Sequence, residues 1–329
     1  MSTRIGACGI ALLAALLPRP LLAAGDADTA KCRDVRDDKA RLACFDGLDQ
    51  AGKGPPASYL ERHWKLGPGE GRIGIDDVQP HWPVYVLLGK WTNHANTEPS
   101  SPSPNHTVPA PIPWNDDELS FQLSFKSELL SRHDFDRKVL GLANARLWFA
   151  YTQQSFWQVY NPRLSRPFRE TNYEPELILT FGTGNADGGW KLLNLGLMHQ
   201  SNGRSLPQSR SWNRLYAQGG WEWGRLSVLG RAWWRIPESA EKDDNPDIQD
   251  YLGRGDVVLR WGFDNDRSMS LLLRHSFHTG RGFAQLDWTS RKLAGAARVY
   301  VQATSGYGES MIDYNFRQNT IGIGFAYGN

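Results

Sequence analysis

The strongest constraint in this chain is a period of two. From Glu118 to Leu129, residues Leu119, Phe121, Leu123 and Phe125 fall on one face, and Ser120, Gln122, Ser124 and Lys126 on the other. Successive side chains of a β-strand point to opposite faces, so the segment reads as a strand with one apolar side. Similar segments recur near 82–91, 145–157, 174–182, 190–201, 211–219, 225–235, 251–261, 268–276, 281–290, 295–304 and 319–328. That makes about twelve strands of roughly ten residues, the length a tilted strand needs to cross a bilayer.

The connections sharpen this reading. The stretches 92–117, 158–173, 202–210, 236–250 and 305–318 are long and polar, whereas most of those between them are short, such as 182–189 and 262–267. The turn at 129–144 is longer than this pattern wants, and the loop near 277–280 shorter. Long loops outside and short turns on the periplasmic side characterise outer-membrane barrels. A soluble β-sandwich has no reason to sort its loops by parity. Composition agrees, because aromatics make up 12% of the chain, with 14 Trp, while mean hydropathy is negative. A barrel needs apolar residues only at alternate positions. A net charge of +2 without a long basic block gives no footprint for nucleic acid. The expected fold is therefore all-β, a transmembrane antiparallel barrel of about 12 strands over 81–329, preceded by a short periplasmic segment.

Residues 1–24 read as an export signal: Arg4, an apolar core from Ile10 to Leu17, and a small-residue cleavage site at Leu22-Ala23-Ala24. Cys8 precedes the apolar core and is not placed as a lipoprotein cysteine. Removal of the signal leaves Cys32 and Cys44, an even pair in an exported chain, which reads as one disulfide within an N-terminal segment spanning 25–80.

Chemistry concentrates in His199-Gln200-Ser201-Asn202-Gly203-Arg204-Ser205 and in Ser209-Arg210-Ser211-Trp212-Asn213. Residues two apart on a strand share a face, so His199 can take the hydroxyl proton of Ser201 and make it a nucleophile. Asn213 lies across a short loop, where its amide oxygen can accept the other imidazole N–H and fix the tautomer. Gly203 offers a backbone N–H to an oxyanion. A His-x-Ser pair on a strand is by itself usually two polar surface residues; parity changes the weighing. Leu193, Leu195 and Leu197 share the face of His199 and Ser201, and Leu215 and Ala217 share that of Asn213. All three polar residues thus cap lipid-facing apolar rows, where unpartnered polar groups cost free energy. Such a placement suggests a lipid substrate. There is no G-x-S-x-G elbow, which argues against an α/β-hydrolase.

These blocks resemble the outer membrane phospholipase A family of Gram-negative bacteria. The resemblance rests on His199 to Tyr216, on Ser165-Arg166-Pro167-Phe168-Arg169-Glu170-Thr171-Asn172-Tyr173-Glu174-Pro175, and on Ser305 to Ser310 continuing through Ile312-Asp313-Tyr314-Asn315. Tyr151-Thr152-Gln153 and Asp244-Asn245-Pro246-Asp247-Ile248 add weaker matches. It is dense from about 147 to 318 and absent over 25–75. It implies Ser201 as nucleophile, His199 as base and Asn213 as orienting residue. It also implies calcium, held by the Ser209 hydroxyl and the Arg204 carbonyl, with the Ser165 carbonyl coming from a second subunit. Gln153 is then placed in a homodimer interface, membrane phospholipid is the substrate, and the active site lies on the outer-leaflet side of the outer membrane. Two features depart from the family. Leu206 stands where an acid is expected to form an additional calcium site with Asp244, and the chain ends in Gly328-Asn329 where outer-membrane barrels usually end on an aromatic, with Phe325 and Tyr327 nearby. The competing readings are a passive barrel, either channel or structural protein, and an inactive lipid-binding relative. Neither gives His199 and Ser201 a reason to share a lipid-facing row.

Overall fold

The computed structural model describes residues 32, 35–42, 44, 58–67, 73–133, 142, 144–185 and 188–328. The proposed signal at 1–24 lies outside the described residues, as do most of 25–57 and much of the turn expected at 129–144. Two compact units are present, Met1–Ala57 and Ser58–Asn329. In the first, residues 38–42 are helical and Cys32 is bonded to Cys44, with Cα atoms 5.5 Å apart.

The second unit is built from thirteen strands. They are β1 (Ile73–Gln79), β2 (Val84–Thr92), β3 (Asp117–His133), β4 (Asn144–Trp157), β5 (Phe168–Gly182), β6 (Gly189–Ser201), β7 (Ser211–Trp223), β8 (Leu226–Arg235), β9 (Gly255–Gly262), β10 (Ser268–His275), β11 (Gly282–Ala294), β12 (Ala297–Tyr307) and β13 (Arg317–Tyr327). Each of β2 to β13 pairs antiparallel with its sequence neighbours, and β13 closes on β2, giving a ring of twelve. The closing pair runs close: at Gly324, where the register shifts, a Cβ would stand 1.9 Å from the Val86 carbonyl. Closure leaves no open edge within the ring of twelve, which is the condition for spanning lipid with strands.

The thirteenth strand was not expected. β1 pairs with β3 beyond the part of β3 that β2 occupies, so β1 and β2 share one edge of a long strand. Pro80 and Pro83 separate them, and proline cannot donate to a ladder. Helix α1 (Tyr59–Trp64) precedes β1. Its first N–H groups, on Tyr59 and Leu60, donate to the Glu222 carboxylate of β7 at 2.9 and 3.0 Å. Leu60 and Trp64 are buried against inward-facing Trp148 and Leu192. The compact unit that contains the barrel begins at Ser58. A short amphipathic helix after a polar stretch gave no period-two signal, and only tertiary packing shows where it lies. Two further adjustments are local: β5 begins at Phe168 inside a stretch expected to be loop, and Tyr251 and Leu252, expected to open the strand at 251–261, instead end helix α2 (Ile248–Leu252).

Along β13 exposure and burial alternate at every residue. The outward set around the ring includes Leu123, Leu177, Leu195, Leu197, Leu215, Ile321 and Ile323, while Lys90, Glu118, Lys126, Glu176, Asn194 and Gln218 are buried inside. An apolar outside and a polar inside is the pattern of a barrel whose solvent is lipid. The described residues contain no helix long and apolar enough to cross a membrane. Strand bounds also sort the loops. Those after β2, β4, β6, β8, β10 and β12 lie at one end and are mostly long, whereas β7 joins β8 through two residues, 224 and 225.

Candidate active site

The candidate site sits at the long-loop end of β6 and β7. Their register sets His199 opposite Asn213 and Ser201 opposite Ser211. His199 is exposed on the outward face, with Leu195 and Leu197 below it and Leu215 below Asn213. Imidazole Nδ1 lies 2.9 Å from Asn213 Oδ1. An amide oxygen only accepts, so Nδ1 carries the proton and Nε2 keeps its lone pair. Ser201 ends β6, two residues on and on the same face. Among the described residues no hydrogen bond joins its hydroxyl to His199; such bonds commonly tighten only with substrate in place.

The loop from Asn202 to Arg210 is organised around one side chain. Buried Asn202 accepts at Oδ1 from the N–H groups of Arg204 (3.3 Å) and Arg210 (3.0 Å), and its amide donates to the Gln208 carbonyl at 2.8 Å. This pins both ends of the loop beside Ser201 and fixes Gly203 with φ +62°. Glycine suits that conformation, and a Cβ there would meet the Tyr173 ring at 3.0 Å. Arg204 bridges to the β4–β5 side, donating to the Phe168 carbonyl at 2.9 Å and pairing with Glu170 at 3.3 Å. Arg210 is buried and donates to the carbonyls of Ser209 (2.7 Å) and His106 (3.1 Å). Burial pulls its pKa below the usual guanidinium range, opposed by Tyr314 and Glu170.

The motif stretches that lie far apart in sequence meet behind this loop. Arg169 pairs with Asp313 at 2.6 Å and with Glu118 at 2.9 Å. Glu170 accepts from the Ile312 N–H at 3.1 Å, and Asn172 from the Met311 N–H at 3.0 Å. Buried charges are tolerable when paired and hydrogen-bonded in this way. Their role is to hold the β5 and β12–β13 loops against the site.

Ser209 Oγ donates to Asp244 Oδ2 at 2.7 Å, which directs its proton away and leaves its lone pairs available. Asp244 also accepts from Ser211 at 3.2 Å, and its other oxygen lies 3.0 Å from His106 Nε2. Leu206 is 55% exposed and supplies no oxygen to Asp244. Ser165 follows a 3-10 turn (Pro162–Leu164) with φ 57° and is exposed. Among the described residues no hydrogen bond links it to Ser209 or Arg204. The described residues hold no metal-binding group of three or more His, Cys, Asp or Glu. The oxygens present around Ser209 and Arg204 are hydroxyl, carbonyl and the Asp244 carboxylate, a donor set suited to calcium. Gln153 lies on the outward face of β4, accepting from Tyr151 at 3.0 Å and donating to Ser155 at 3.3 Å.

Sequence reasoning missed two participants. Asn202 was visible only as part of a motif, with nothing to show that its side chain orders the loop. Glu238, 25 residues from Asn213, accepts from Asn213 Nδ2 at 2.9 Å. No spacing rule connects positions on separate strands and loops.

Comparison with known proteins fits this geometry. The phospholipase A1 family matches residues 60–327. Phospholipase A1 of Escherichia coli K12 is 42% identical over 260 residues, covering 77% of this chain and 86% of that protein. The solved outer membrane phospholipase A from Escherichia coli superposes with a TM-score of 0.64 at 36% identity, over 77% of this chain and 98% of that one. The Salmonella typhi outer membrane phospholipase, solved as a dimer with bound calcium, gives 0.64 at 33% identity over 83% and 98%. The fold and these matches define a lipid-hydrolysing β-barrel of the Gram-negative outer membrane. The chain belongs to the phospholipase A1 family.

Proposed function

We propose that this protein cleaves acyl esters of membrane phospholipids, releasing fatty acid and lysophospholipid, through Ser201, His199 and Asn213. The observation that carries the reading is the 2.9 Å contact between His199 Nδ1 and Asn213 Oδ1 on the lipid-facing side of the barrel, in line with Ser201. Ser201 Oγ attacks the ester carbonyl as its proton passes to His199 Nε2. Asn213 holds the imidazole in the required tautomer and accepts from it while it is cationic. The Gly203 N–H donates to the developing oxyanion. His199 then returns its proton to the departing lysophospholipid oxygen, leaving an acyl-serine. Water attacks the acyl carbon as His199 takes its proton, and collapse frees the fatty acid and restores the Ser201 hydroxyl.

One amide donor is few for a tetrahedral oxyanion, since each such donor is worth roughly 3–4 kcal/mol. A calcium ion would add electrophilic polarisation of a bound water or of the carbonyl. In this reading the Ser209 hydroxyl and Arg204 carbonyl hold it, and the Ser165 carbonyl of a second copy completes the set, which makes the active form a homodimer. Exposure of Ser165 and the engagement of the Ser209 proton by Asp244 support that assignment. Gln153, set among lipid-facing side chains, gives the pairing a polar contact. Fatty-acid release from phospholipid in mixed micelles, with and without calcium, tests the proposal; wild-type-like release by a Ser201→Ala variant would overturn it.

A further inference from the structure

The amide of Asn213 is held on both sides. Its oxygen faces His199, and its Nδ2 donates to Glu238 Oε1 at 2.9 Å. Glu238 belongs to the loop after β8, and that loop is anchored on Asn213 itself. The Ile236 N–H donates to the Asn213 carbonyl at 2.8 Å, extending the β7–β8 ladder one step beyond the Arg214–Arg235 pair. Two residues later the Glu238 side chain returns to the amide. Arg235 lies 3.8 Å from Glu238 Oε2 and also pairs with Asp243, so the carboxylate is set within a local charge framework.

An asparagine amide can turn over with little change in shape, exchanging an acceptor for a donor. In the reversed orientation the NH2 group would face Nδ1 and favour the tautomer protonated at Nε2. That tautomer cannot accept a proton from serine. An ionised carboxylate only accepts, so Glu238 selects the orientation in which NH2 points at it and the amide oxygen points at His199. We propose that Glu238 is a positioning residue for the reaction, acting through Asn213 to fix the His199 tautomer. The device puts the carboxylate on the loop after β8, near Arg235, and leaves a neutral amide next to His199 on the outward face, where a carboxylate is costly to desolvate.

The inference rests on the proposed roles of His199 and Asn213, and its test separates the two. Glu238→Ala should lower kcat by about tenfold or more, the usual size for loss of a partner that orients a functional ligand, with KM unchanged. Glu238→Gln keeps an acceptor for Asn213 Nδ2 but adds an NH2 group that can serve the reversed amide, so its kcat should also fall, though no lower than that of Glu238→Ala. Made in an Asn213→Ala background, Glu238→Ala should change kcat by less than about twofold, since there is no amide left to orient. All variants are compared as folded barrels in the same detergent. Parent-like kcat in Glu238→Ala or in Glu238→Gln, or an undiminished loss in the Asn213→Ala background, would each overturn the inference. If instead Ser201→Ala and His199→Ala retain activity, it is the triad reading itself that fails.

Discussion

His199 on β6 and Asn213 on β7 are direct cross-strand partners, with Nδ1 and Oδ1 2.9 Å apart on the outward face of the barrel. A cross-strand pair brings side chains together without any loop having to order first. His199 and Asn213 are therefore positioned by the same hydrogen-bond ladder that builds the barrel wall.

The nucleophile should be separable from the fold. Ser201 ends its strand on the outward side, and its hydroxyl holds no described neighbour in place. Ser201→Ala is expected to lose on the order of 10³-fold or more in kcat while keeping parent stability. Hydrolysis and resistance of the barrel to urea, read on the same preparation, check both halves.

His199 and Asn213 should contribute unequally. In the proposed mechanism His199 moves the proton, and Asn213 only orients the imidazole. His199→Ala is expected to approach the Ser201→Ala loss, whereas Asn213→Ala should cost about one to two orders of magnitude. Matching losses in the two variants would contradict this division of labour.

Calcium and pairing should be linked. One chain offers Ser209 and Arg204, but calcium prefers about six to eight oxygens, so its affinity should rise when a second copy brings Ser165. Chelation is expected to lower both fatty-acid release and the cross-linked dimer fraction, and Ser209→Ala to raise the calcium concentration at half-maximal dimer. A dimer fraction indifferent to calcium would remove the metal from the proposal.

Asn202 should matter for the loop and not for the barrel. Asn202→Ala removes acceptor and donor from Arg204, Arg210 and Gln208 together. Losing hydrogen bonds to a buried group costs about 1–3 kcal/mol, and here the cost falls on the segment carrying Gly203. We expect activity to fall about a hundredfold and proteolysis within 203–209 to increase. Unchanged cleavage kinetics would show that the loop is held by other contacts.

The outward face makes a physical prediction of its own. Leu195 is exposed near the middle of β6, opposite Ala217. Leu195→Arg should destabilise the barrel in lipid vesicles by about 2–4 kcal/mol if that position faces the bilayer midplane. A change near zero in a reversible urea titration would place Leu195 away from the hydrocarbon.

Much of this molecule was legible in the chain because strand geometry is local. The period-two alternation of Glu118 to Leu129 and its repeats gave the twelve barrel strands, their facing and the parity of the loops. It also put His199 and Ser201 on one outward row. What lay beyond reach depended on contacts between distant residues. Proline interrupts the alternation between β1 and β2, and α1 reveals its place only through Glu222 and Trp148. Pairing of Asn213 with His199 was foreseeable because consecutive strands of an antiparallel barrel are neighbours. The anchoring of that amide by Glu238, the ordering of the Gly203 loop by Asn202 and the meeting of Arg169 with Asp313 were not. Each is a hydrogen bond between groups on separate elements, and the sequence fixes which groups are present while only closure of the barrel decides which of them meet.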